Sequence, residues 1–257
     1  MELLSKKIIY ITGASSGIGR ACAEAFAREG ANILISARRI DKLNELAKMI
    51  INKYNVDVFA FKQDIRNYEE VQTTIDALPD KWKDIDILIN NAGLAKGADK
   101  LYEGIIENWE AMIDTNIKGL LYVTRKILPA MVKKEKGHII NIGSTAGHQA
   151  YTGGNVYCAT KFAVNALTQS IRLDVYDKNI KVSTVDPGMV YTEFSAVRFS
   201  GDEEKVKKVY EGVKPLLPED VAQAVLFCAT RPSHVNINEI ILTTTAQASA
   251  TQIYRKK

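Results

Sequence analysis

Tyr157 and Lys161 stand four residues apart in a stretch of helical period, so their side chains share one helix face. A phenol beside an ammonium is a general acid/base pair. At a separation of about 4 Å and an effective dielectric near 20, phenolate and ammonium attract by roughly 4 kcal/mol. That equals about 3 pKa units, which brings a phenol from ~10 towards neutrality. A core tyrosine beside a solvated lysine has the same spacing, so the pair needs context. Ser144 follows a strand-like run a little earlier in the chain. A hydroxyl there can donate to a carbonyl oxygen as charge develops on it. It equally suits the cap of a short helix.

A second constellation binds rather than reacts. Gly13, Gly17 and Gly19 sit in Thr12-Gly13-Ala14-Ser15-Ser16-Gly17-Ile18-Gly19, between the first apolar run and a helix-like segment. A glycine turn at such a junction lets backbone N–H groups and a helix N-terminus approach a pyrophosphate. The spacing is G-x-x-x-G-x-G rather than G-x-G-x-x-G, and a plain turn is the alternative. About 20 residues past the glycines, an NAD site places an acid on the ribose 2′-hydroxyl. This chain has Ala37-Arg38-Arg39 there. Two guanidiniums with no acid suit a 2′-phosphate, so NADP(H) is the expected cofactor. The other reading is that the arginines only finish a solvated strand end.

The elements that must position these residues alternate along the chain. Strand-like runs cover Lys7 to Thr12, Asn32 to Ser36, Val56 to Phe61, Ile85 to Ile89, Gly137 to Ile142, Ile180 to Val185 and Ile237 to Leu242. Helical periods cover Ala21 to Glu29, Lys42 to Tyr54, Glu69 to Leu78, Val156 to Asp177 and Pro218 to Ala229. A long helical stretch from Glu107 to Lys134 is expected to break near Asn116 and Pro129. The strands are near-continuous apolar runs, as when helices cover both sheet faces. The alternation predicts an α/β fold: a single-domain, Rossmann-like, doubly wound parallel sheet over residues 1–257. A substrate lid is expected around residues 190–215, where Phe194 to Tyr210 is charged and irregular. An exposed amphipathic helix pair explains those charges equally well.

Composition narrows the class. The chain has 257 residues, with 34 Lys+Arg against 30 Asp+Glu, interspersed, for a net charge of +4. No basic stripe for nucleic acid is expected. Cys22, Cys158 and Cys228 lack C-x-x-C spacing, and reduced thiols in a cytoplasmic protein are the expectation. His138, His148 and His234 show no paired spacing, so no metal site is expected. No apolar run approaches the ~20 residues of a membrane span, and no signal-peptide pattern is seen.

Taken together, the motifs resemble the short-chain dehydrogenase/reductase family over essentially the whole chain. They are Thr12-Gly13-x-x-x-Gly17-x-Gly19, Asn90-Asn91-Ala92-Gly93, Asn116, Ser144, Tyr157-x-x-x-Lys161 and Pro187-Gly188. The resemblance implies that Tyr157 is the acid/base and that Lys161 lowers its pKa and holds the nicotinamide ribose. It implies that Ser144 orients the substrate, while Asn116 holds a water that relays protons through Lys161. Gly13, Ser15, Ser16, Ile18 and Gly19 are implied to line the pyrophosphate and ribose, with Gly17 in the same turn. Asp64 and Ile65 would flank the adenine, Asn91 would contact its ribose, and Val190 and Thr192 would meet the carboxamide. Two positions depart from the common pattern. Cys158 replaces a small residue, and Ser16 stands where many NADP-using members carry a base.

Within the family, Gly188 to Phe199, Arg231-Pro232-x-His234-Val235-Asn236-Ile237 and Gln247-Ala248 resemble the NADP-dependent 3-hydroxy acid dehydrogenases, which act on serine, allo-threonine and related compounds. Arg198 is the candidate for the substrate carboxylate, with a structural or interface arginine as the alternative. A carbonyl or 3-oxoacyl reductase and a non-catalytic NADP-binding regulator are the competing readings. Loss of Tyr157 or Lys161 would mark the regulator, and both residues are present. The resemblance also suggests a homotetramer. The tail from Thr243 to Lys257 either docks or frays.

Overall fold

The computed structural model describes residues 4–256, so Lys257 at the end of the basic tail lies outside the described residues. Seven strands form one parallel sheet: β1 (Ile8–Thr12), β2 (Asn32–Ala37), β3 (Val58–Lys62), β4 (Ile87–Asn90), β5 (Gly137–Ile142), β6 (Ile180–Pro187) and β7 (Glu239–Leu242), in the spatial order β3-β2-β1-β4-β5-β6-β7. The chain runs outward from β1 to one edge, returns, and runs outward from β4 to the other. The crevice between the carboxyl ends of β1 and β4 is therefore the switch point where ligands bind in such sheets.

The helices are α1 (Gly17–Arg28), α2 (Ile40–Tyr54), α3 (Tyr68–Asp76), α4 (Ile106–Ile113), α5 (Leu120–Lys133), α6 (Asn155–Val175), α7 (Phe194–Arg198), α8 (Glu203–Tyr210) and α9 (Pro218–Ala229). Alternate strand residues explain the continuous apolar runs. Ile9, Ile11, Ile33, Ile35, Ile87 and Ile89 face α1, α2 and α9, while Tyr10, Leu34 and Leu88 face α3, α5 and α6. β1, β2 and β4 thus bury both of their faces, while the edge strands β3 and β7 stay partly exposed.

Several boundaries differ from expectation for physical reasons. α1 begins at Gly17, inside the glycine turn, rather than at Ala21. The expected break near Asn116 is a π-helical turn, Asp114–Gly119, joining α4 to α5. Pro129 does not break the helix and lies within α5. Proline there removes the bond to the Arg125 carbonyl, but both residues are exposed, so water can serve that carbonyl. Phe194 to Tyr210 resolves into the short helices α7 and α8, turned by Gly201 at φ +85. The tail docks on its own chain. Arg255 donates to the carbonyls of Lys208, Val209 and Glu211 at the end of α8, and the Met189 amide donates to Gln247 Oε1 at 2.9 Å. Among the described residues no helix is long and apolar enough to cross a membrane.

Candidate active site

The glycine turn leaves β1 at the switch point. Thr12 Oγ1 accepts the amides of Asn91 and Ala92, each at 3.1 Å, and Asn91 Nδ2 donates to the carbonyls of Thr12 and Gly13 at 2.9 and 3.2 Å. The loops after β1 and β4 are thereby locked together. Gly19 must be glycine: a Cβ there would stand 2.8 Å from the Gly13 carbonyl oxygen and strike Asn91 Nδ2. Ser16 is the N-cap of α1, but its side chain makes no capping bond, and the first turn holds no acid. The first amides of the helix are left without a side-chain partner where Ser16, Gly17 and Ile18 line the cleft.

A cleft of about 370 Å³ runs from this loop in both directions. At one end it is lined by Arg38, Arg39, Asp64, Ile65 and Arg66, and at the other by Ser144, Tyr157, Lys161 and Phe194. Gly13, Ser15, Ser16, Gly17, Ile18, Asn91, Val190 and Thr192 line it between. Of the residues expected from sequence, Gly19, Asn116 and Arg198 do not form its wall. Gly19 lies behind the loop it shapes. Asn116, in the π turn, is 2 % exposed. Its Nδ2 donates to the Leu94 carbonyl at 2.8 Å and Thr160 Oγ1 at 3.0 Å, and its Oδ1 accepts the Leu94 amide at 2.9 Å. Arg198 staples α7 to two loops, donating to the Gly97 carbonyl at 3.0 Å, Tyr151 Oη at 2.9 Å and the Gly153 carbonyl at 3.4 Å. Its guanidinium carbon is also 5.9 Å from the centre of the Tyr157 ring.

The acid/base pair departs from the simple Coulomb expectation. Tyr157 is buried, 8 % exposed, with the Phe194 ring edge-on at 5.7 Å. Burial pushes its phenol well above the ordinary value, opposed by hydrogen bonding with Ser144 and by the charge of Arg198. Lys161 Nζ lies 6.0 Å from the Tyr157 ring centre and donates to the Ile142 carbonyl at 2.9 Å. Its own pKa is lowered to about 8 by burial, against the pull of Asp186. Desolvation thus sets the direction at Tyr157, and the groups that oppose it are Ser144 and Arg198 rather than Lys161. Ser144 is both things the sequence allowed: its Oγ accepts the Ala146 amide at 3.1 Å as a cap, and the residue lines the cleft.

Some contributors carry no signal readable from local sequence. Arg66 pairs with Asp64, holding its carboxyl below the usual range. Asp186, fully buried, accepts from Thr184 at 2.5 Å and lies 2.6 Å from His148 Nε2. Glu239 lies 3.6 Å from the same nitrogen. Burial raises the Asp186 carboxyl, with Thr184 and His148 opposing.

A glycine turn opening a helix and a tyrosine–lysine pair in one switch-point cleft are the arrangement of a nucleotide-dependent oxidoreductase of the doubly wound class. Residues 7–203 match the family described as short chain dehydrogenase, and the chain belongs to that family. An NADP-dependent 3-hydroxy acid dehydrogenase of Schizosaccharomyces pombe is 43% identical over 258 residues, covering 100% of both chains. A serine 3-dehydrogenase of Agrobacterium fabrum is 39% identical over 249 residues, 96% of this chain and 98% of its own. The solved closed form of a serine dehydrogenase complexed with NADP+ aligns with a TM-score of 0.91 at 41% identity, covering 97% of this chain and 100% of the other.

Proposed function

We propose that the protein is an NADP(H)-dependent dehydrogenase of small 3-hydroxy acids of the serine or allo-threonine type. The observation that carries this reading is the single cleft joining Arg38 and the glycine turn to Ser144, Tyr157 and Lys161. Similarity over the full chain to relatives named for that activity supports the substrate class.

The residues present fit the cofactor. The uncapped start of α1 suits a pyrophosphate, and Arg38 in the cleft wall suits a 2′-phosphate. Gly13, Ser15, Ser16, Gly17, Ile18 and Gly19 form or support the turn that would hold the phosphates. Asp64 and Ile65 would flank the adenine, Asn91 its ribose, and Val190 and Thr192 the carboxamide. The chemistry that bound NADP+ would supply there is acceptance of a hydride from the substrate's 3-carbon.

The chain's own part is positioning and proton transfer. Ser144 orients the substrate hydroxyl, its oxygen steadied by the Ala146 amide. Tyr157 takes the hydroxyl proton during oxidation and returns it during reduction. Lys161 holds the nicotinamide ribose and passes the proton on, through a water held at Asn116. Both N–H donors of the Asn116 side chain are already used, which leaves its Oδ1 lone pair or the main chain of the π turn to accept from that water. Arg198 meets the substrate carboxylate. Its three bonds leave a free N–H on each terminal nitrogen.

The chain acts as one catalytic unit with residues 190–215 as its lid. The family resemblance and the apolar side chains exposed on α5 and α6, among them Leu121, Phe162 and Leu173, support a homotetramer. Three buried, unpaired cysteines suit the cytoplasm. The test is a substrate screen following NADPH formation, with NADP+ and NAD+ in parallel. Turnover of serine or allo-threonine with NADP+ is expected, and turnover confined to unrelated alcohols would overturn the substrate class.

A further inference from the structure

Glu193 stands at the start of the lid, immediately before α7. One carboxylate oxygen accepts Arg39 Nη1 at 2.8 Å and the other accepts Lys42 Nζ at 3.1 Å. The opposite edge of Arg39 donates to Ser15 Oγ at 3.2 and 3.1 Å and to Ser16 Oγ at 2.8 Å. The lid, the start of α2 and the glycine turn are thus tied together by residues more than 150 positions apart. Of the members of this tie, Ser15, Ser16, Arg39 and Glu193 line the cleft. Arg38 differs from its neighbour. It lines the same cleft but makes no hydrogen bond or ion pair among the described residues.

We infer that Glu193, Arg39 and Lys42 form a clamp over the bound nucleotide that must open at every exchange, while Arg38 alone reads the 2′-phosphate. The inference rests on the reading that a nucleotide occupies this cleft. Arg39 is committed on three sides, so bidentate capture of a phosphate would require it to give up Glu193 or the two serines. A clamp built without the 2′-phosphate retards release of both nicotinamide dinucleotides alike. Its charges are half-exposed, so added salt weakens it.

The experiment is stopped-flow displacement of NADPH and of NADH from the full chain, read by nucleotide fluorescence. Glu193→Gln is expected to speed release roughly three- to tenfold for both nucleotides, the range open to one half-exposed carboxylate shared by two cations. Lys42→Gln should give a smaller increase and add nothing to Glu193→Gln. NADH release, which has no 2′-phosphate contact to screen, should quicken with sodium chloride more steeply in the wild type than in Glu193→Gln. Unchanged release rates, or tighter NADPH binding with NADH unaffected, would overturn the clamp. The second result would mean that Glu193 only competes with the 2′-phosphate for Arg39. A wild-type chain that binds neither nucleotide would overturn the cofactor reading and the clamp with it.

Discussion

Lys161 Nζ lies 6.0 Å from the centre of the Tyr157 ring and is held by the Ile142 carbonyl at 2.9 Å. The one-turn spacing on α6 puts the two side chains on one face, yet carries the ammonium past the ring to the end of β5. Burial therefore sets the acidity of the phenol in this state. Lowering it falls to Ser144 and the charge of Arg198.

Tyr157→Phe should cut turnover by about 10²- to 10⁴-fold, the range for a lost general acid/base, and leave NADPH affinity within about threefold. Steady-state rates and a fluorescence titration check this. Without nucleotide, the difference in tyrosinate absorbance between wild type and variant should stay flat below pH 10, because burial raises the phenol. A titration near neutrality would contradict that assignment.

Lys161 gives a stability signature whose sign is fixed. Its folded pKa, about 8, lies below the unfolded value near 10.5, so the unfolded chain binds more protons between these limits. Stability is depressed below pH 8 and recovers as pH rises towards 10.5, by roughly 3 kcal/mol in the limit. Lys161→Met should remove this dependence. Denaturant unfolding at pH 7 and pH 10 should show the wild type gaining on the variant at the higher pH, and a constant difference would refute the buried charge.

His138 acts at the acid end. It is buried, hydrogen-bonded to Ser183 at 2.8 Å, and its pKa is lowered by burial to about 3. The unfolded chain takes up a proton below pH 6.5 that the folded chain refuses until about pH 3, so stability falls through that window. His138→Gln should make the slope of stability against pH shallower between pH 6 and pH 4. An unaltered slope would place the acid sensitivity elsewhere.

The sheet and the residues that line the cleft are legible in the sequence because their signals are local. The apolar run Ile8-Ile9-Tyr10-Ile11, the glycine turn and the Tyr157–Lys161 spacing each fit within one element and its flank. What could not be read depends on where distant elements meet. Glu193 reads as an ordinary lid charge until the fold sets it on Arg39. Arg198 reads as a carboxylate ligand or as a structural arginine until the fold sets it on Gly97, Tyr151 and Gly153. Pro129 reads as a breaker because a sequence does not say which way the lost carbonyl bond points. The Tyr157–Lys161 energetics miscarried for a related reason: spacing puts both side chains on one face but fixes neither the reach of the ammonium nor the burial of the phenol.

Arg38→Ala should weaken NADP+ binding by roughly 10- to 100-fold, as expected when a charge-assisted phosphate contact is lost, and leave NAD+ binding nearly unchanged. Calorimetric titration of both nucleotides checks it. An equal loss for both would move the 2′-phosphate contact to another side chain.

The most direct test of the central claim follows the near-ultraviolet band of reduced nicotinamide when wild type and Tyr157→Phe are each given NADP+ with serine or allo-threonine. The account predicts steady growth of that band with the wild type and almost none with the variant. Growth undiminished in the variant, or absent from the wild type with every 3-hydroxy acid supplied, would contradict it.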